Sequence, residues 1–143
     1  MTRTRTIVPL GLALAIAAAA FLAGGVLWPP HPTVPVPSAA QAPFLIGVSA
    51  AEALAFGAGV VFLFSGWRYV GRLTALAPWL RWASFASVVW LLASWWPHDN
   101  LHIHHGLTLW PLIAIEYAFH VSLMASGAIL AYAFHSLGTA HQA

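Results

Sequence analysis

The 143-residue chain has no cysteine and no lysine, and its only acidic residues are Glu52, Asp99 and Glu116. Without cysteine there is no disulfide framework, no thiolate metal site and no cysteine nucleophile. Charged residues make up 6% of the chain and hydrophobic residues 61%. Soluble domains carry about a quarter charged residues, so this composition cannot build a water-solvated surface. The basic residues are Arg3, Arg5, Arg68, Arg72 and Arg81, for a formal net charge of +2. They are too few and too scattered to make a nucleic-acid surface. No phosphate loop, dinucleotide fingerprint or zinc-protease motif occurs. The serines and threonines have no assembled base and acid around them, so a nucleophilic triad is unsupported.

What is present is four long apolar runs, at residues 7–27, 44–67, 80–96 and 112–134. The first would rise about 31 Å as a helix, enough to cross the hydrocarbon core of a bilayer. It is longer than the ~7–15 apolar residues of a secretory signal, so an uncleaved signal anchor is favoured. The third run lies near the lower limit for a span, about 17 residues. Trp79 and Trp82 are placed at its inner end and Trp95 and Trp96 at its outer end, as in an aromatic belt. Four crossings put all five arginines on one face, which the positive-inside rule makes cytoplasmic.

The connections differ in kind. Residues 28–43 contain Pro29, Pro30, Pro32, Pro35, Pro37 and Pro43. Proline at this density excludes helix and favours an extended, semi-rigid strap. Residues 97–111 are the second outer connection, longer than the ~2–8 residues usual between helices. They carry His98, Asp99, His102, His104 and His105. If residues 97–105 are helical, with Pro97 in the first turn and Ser94 as cap, His98, His102 and His105 share a face. Gly106 would then stop the helix. If the segment is extended, His102 and His104 share a face instead.

Imidazole nitrogens are good donors to zinc, copper, nickel and iron. Four histidines within eight residues therefore suggest a metal site, the main rival being a solvated loop that titrates near pH 6.5. His98-x-x-x-His102 followed by His104-His105 resembles one histidine box of the membrane desaturases and hydroxylases. Those enzymes need several boxes for two irons, so no function is carried over.

Inside the runs, Glu116 and His120 are i, i+4 on the fourth, and Glu52 lies at a similar depth on the second. Ionisable groups at such depth cost at least ~2.5 kcal/mol each unless paired or neutralised, so Glu52, Glu116 and His120 are expected to face one another. Ala114, Ala118, Ser122 and Ser126 form a small-residue stripe on the other side of the fourth run, suited to close packing. His135 and His141 fall at the cytoplasmic end, away from the site.

The sequence thus predicts an all-α integral membrane protein with a single domain: a four-helix antiparallel up-down transmembrane bundle, N-in and C-in. It has a proline-rich outer strap and a histidine-rich outer loop, and is multi-pass in the cytoplasmic membrane if the source is a prokaryote. The leading function is binding of a transition-metal ion, copper or zinc preferred, at the outer face, for metal handling or delivery rather than catalysis. His98, His102, His104, His105, His120 and Glu116 are the candidate ligands, with Asp99 and Glu52 as outer-shell or proton-accepting groups. Haem b ranks below a bare ion, because only His120 among the outer histidines lies inside a run. Besides the lipid bilayer, the partners considered are other membrane subunits or further copies of the chain. In that rival reading the protein is a non-catalytic subunit of a larger complex. A third reading is proton or small-cation transport through Glu52, Glu116 and His120.

Overall fold

A computed structural model describes residues 3–140, and among them the chain is helical with no strand. Six helices follow in order: α1 (Arg3–Leu27), α2 (Ala42–Ser65), α3 (Trp67–Val70), α4 (Pro78–Ala93), α5 (Trp95–His105) and α6 (Leu109–Ala140). Among the described residues, three stretches are long and apolar enough to cross a membrane: Ile7–Leu27, Ala42–Ser65 and Leu109–Thr139.

The third apolar run departs from expectation. It ends as a helix at Ala93 after 16 residues, below the ~17 that a span needs. The reason is Pro97, which has no N–H to give to the carbonyl of Ala93. Ser94 keeps helical angles (φ −86°, ψ −22°), so α4 passes into α5 without a loop. Its hydroxyl makes no cap hydrogen bond. The connection predicted as a loop over 97–111 is therefore mostly helix, with Pro97 tolerated in the first turn of α5. The stop at Gly106 is as expected, in a backbone conformation (φ 57°, ψ −133°) that only glycine adopts without strain.

The helices pack in a row, α1 on α2, α2 on α4, α4 on α6, with α5 lying between α2 and α6. Among the described residues α1 and α6 share no substantial packing, so the row does not close into the expected up-down bundle. Gly57 and Gly59 explain how α2 serves two neighbours. Two residues apart on a helix are roughly opposite. A Cβ on Gly57 would run into the carbonyl of Ala13 on α1, and one on Gly59 would lie 2.9 Å from the Cβ of Ala93 on α4. Ala17, Ala20 and Ala53 complete the close α1–α2 seam.

Two apolar clusters hold the two ends. At one, Trp96 packs with Ala20 and Ala53 and is flanked by Trp28 and Phe56. Trp96 is thus a core residue rather than part of a belt. At the other, Leu76 and Leu80 meet Ala133, Ile129 and Leu137. α6 buries Phe119, Ser126 and Ala133, a seven-residue spacing, whereas Ala114 and Ala118 stay exposed. The small-residue stripe is thus split: Ser126 is buried and Ser122 half-buried, while its Ala114 and Ala118 end is open.

Arg68 and Arg72 share a cleft with Pro9 of α1, and Arg81 donates to the Gly71 carbonyl at 3.2 Å. The arginine-bearing segments therefore gather at one end of the row. The strap and the histidine helix lie at the other. His31 N–H donates to the Ile103 carbonyl at 2.9 Å, Leu107 N–H to the Thr33 hydroxyl at 3.2 Å, and His104 Nδ1 reaches the Pro29 carbonyl at 3.0 Å. The strap is tied to α5 and to the turn that follows it.

Candidate metal centre

α5 presents His98 and His102 one turn apart, and their Nε2 atoms are 3.0 Å from each other. α6 presents Glu116 and His120 with the same i, i+4 spacing. Glu116 bridges the two helices: one carboxylate oxygen lies 3.2 Å from His102 Nε2 and the other 2.8 Å from His120 Nδ1. One ligand atom each from His98, Glu116 and His120 can be chosen so that all lie within 4.8 Å of one another. A tetrahedral zinc with bonds of about 2.0–2.1 Å needs its donors roughly 3.3 Å apart. A group of side chains this close can meet that spacing by contracting around an ion.

The proton positions favour metal binding. His98 Nδ1 lies 3.1 Å from the Asp99 carboxylate, which can only accept, so Nδ1 carries the hydrogen. In the neutral ring this leaves the Nε2 lone pair aimed at His102 and the Glu116 side. An imidazole oriented by a carboxylate on its far nitrogen is the usual support for a metal-binding histidine. Burial lowers the His98 pKa below its ordinary 6.5, and the charge of His102 acts the same way, against the opposing pull of Asp99. The neutral ring is the form that ligates. Its other support is Phe119, whose ring stacks on it at 3.7 Å between centroids with 15° between planes. Phe119 gave no chemical signal in the sequence; only its place on the Glu116–His120 helix pointed to it.

Not every predicted residue joins. His104 is turned to the Pro29 carbonyl of the strap. His105, the last residue of α5, sits with its ring 5.2 Å from that of His104 rather than with His98 and His102. Glu52 does not face Glu116 and His120. It lines a cleft together with Asp99, where α2 meets α5. The cause is the helical form of α5: residue 99 is about 100° around the helix from residue 98, so Asp99 points to α2 while His98 points to α6. His135 lies on α6 near the arginine end, and His141 falls outside the described residues.

The cleft lined by Glu52 and Asp99 has a volume of about 390 Å³, and an apolar one of about 360 Å³ lies on the α6 side of His98. Set against family models, curated proteins and solved structures, the chain has no match.

Proposed function

We propose that this protein spans the cytoplasmic membrane and binds one transition-metal ion, zinc or copper, at its outer side. The observation that carries this reading is the convergence of His98, Glu116 and His120 within 4.8 Å, with His102 beside them. His98, Glu116 and His120 are the ligands, His102 the fourth donor, and Asp99 the group that orients His98. In the membrane α1, α2 and α6 cross fully. α4 with the start of α5 makes the fourth crossing, leaving the rest of α5 and the strap at the outer surface. The arginines then lie on the cytoplasmic side with both chain ends, as the positive-inside rule requires. The whole chain acts as one domain. Binding with no legible reaction machinery suits holding or passing on an ion rather than transforming a substrate.

The test is elemental analysis of the detergent-purified, untagged chain with an optical spectrum. The reading expects about one zinc or copper per chain, lost in His98→Ala and in His120→Ala and kept in His104→Ala. A colourless protein that stays metal-free after exposure to both ions sinks it, and a Soret band replaces it with haem.

Transport is the weaker reading. Asp99, His98, His102, Glu116 and His120 do form one continuous series of close contacts, and Glu52 shares a cleft with Asp99. That series runs sideways from α2 through α5 to α6, all at the outer end, and supplies no route toward the arginine end.

A further inference from the structure

We infer that the cleft beneath the proline-rich strap is a binding site for a small organic ammonium ion carried on an apolar body. The cleft has a volume of about 390 Å³ and lies between the facing ends of α1, α2 and α5, with Pro30 and Pro37 of the strap over it. That volume falls within the ~300–1,000 Å³ usual for small-molecule sites. It is a different place from the metal centre, and the two touch only where Asp99 meets His98.

Charge points to a cation. Two of the three acidic residues in the chain, Glu52 and Asp99, line this cleft. No arginine and no histidine lines it. Two carboxylates lining one cleft repel unless a proton or another cation neutralises them. In a largely apolar setting such a pair costs stability unless a proton or another cation neutralises it.

The walls say which cation. Phe21, Trp28 and Trp96 line the cleft, and aromatic faces attract ammonium groups. Trp28 and Trp96 hold each other edge to face, 4.9 Å between centroids, so these rings are fixed in place. Asn100 is likewise held, its Nδ2 donating to the Trp96 carbonyl at 2.7 Å. A bare divalent ion needs six or so oxygen ligands at ~2.0–2.6 Å and would leave the aromatic walls without a neighbour. An amine satisfies both parts: its N–H groups reach Glu52 and Asp99, and its apolar body lies against Trp28, Trp96 and Phe21.

The probe pair is phenethylamine and 2-phenylethanol, the same ring and chain with an ammonium or a hydroxyl at the end. Binding is measured by equilibrium dialysis on the full-length, detergent-purified protein near pH 7. The amine is expected to bind saturably at one per chain and the alcohol at least about tenfold more weakly. Glu52→Gln should weaken the amine about tenfold while metal content at the histidine centre stays as it was. Ser49→Phe keeps both carboxyl groups and fills the cleft from α2, so it should abolish amine binding in a protein of unchanged helicity. Equal binding of amine and alcohol would make the cleft a lipid or detergent pocket and overturn the inference. So would an unchanged amine affinity in Glu52→Gln, or displacement of the amine by stoichiometric zinc in the wild type. Because metal content and amine binding are read separately, failure of either reading leaves the other standing.

Discussion

Asp99 is a single side chain with two duties. It accepts from His98 Nδ1 and lines the same cleft as Glu52, and so joins the imidazole group to that cleft. Asp99→Asn should lower metal affinity about 10–100-fold, because an amide orients the ring without adding basicity to it. Isothermal titration of the metal-free protein with zinc reads that loss. His98 also gives the metal-free protein a pH dependence. Its folded pKa is lowered by burial, so the unfolded chain binds the proton more readily. Stability is then complete above pH ~6.5 and falls as the pH drops from there toward the folded value. Denaturation of the metal-free protein across that range should show the fall, and His98→Phe should remove most of it. Gly106 bears the third residue-scale expectation. A Cβ there meets Thr33 and lies 2.9 Å from the Cβ of His31, in a backbone region almost confined to glycine. Gly106→Ala should cost about 1–3 kcal/mol in thermal unfolding and loosen the strap from α5. The chemistry of these residues was legible in the sequence as a list of donors. Their pairing was not, because a donor list does not say which face of α5 each side chain occupies.

At the scale of elements, α5 decides the most. Pro97 and Gly106 bracket it, and both could be read from the sequence as start and stop signals. What the pattern left open was helix or extended chain. With helix chosen, His98 and His102 fall on the α6 side and Asp99 on the α2 side. The same choice shortens α4, which ends one residue before Ser94 rather than running on to Trp96. α2 is the second deciding element, since Gly57 and Gly59 let it contact α1 and α4 at backbone distance. Gly57→Val should push α1 away and cost about 1–3 kcal/mol, as overpacking of a tight seam does. The loss should appear as faster proteolysis near the strap, with the α4–α6 cluster of Leu76, Leu80 and Ala133 retained. Gly57-Ala58-Gly59 is a small-residue stretch of the kind that permits close helix contact. Which partner each glycine serves was not readable in the sequence, because that depends on how the helices are ordered in space.

For the molecule as a whole, the open row of helices leaves large apolar side chains outward on both flanks, among them Leu22 and Val26 on α1 and Trp110 and Met124 on α6. In water such a surface is untenable, and lipid or further protein must cover it. The absence of cysteine makes the proposed orientation easy to test. A single Cys at Ala39 in the strap should react with an impermeant thiol reagent in intact cells. One at Ser136 should react only after the membrane is opened. The reverse pattern would place the histidine centre on the cytoplasmic side. Composition and run length alone determined that the chain is helical and apolar enough for a membrane, and that its arginines gather apart from the histidines of residues 98–120, because hydrophobic length and charge spacing are properties of the linear chain. Only the tertiary structure decided that the row stays open, that Glu52 shares a cleft with Asp99, and that His104 and His105 stand aside from His98, Glu116 and His120. Those outcomes depend on helix rotation and neighbour order, which are set by contacts between residues far apart in the sequence.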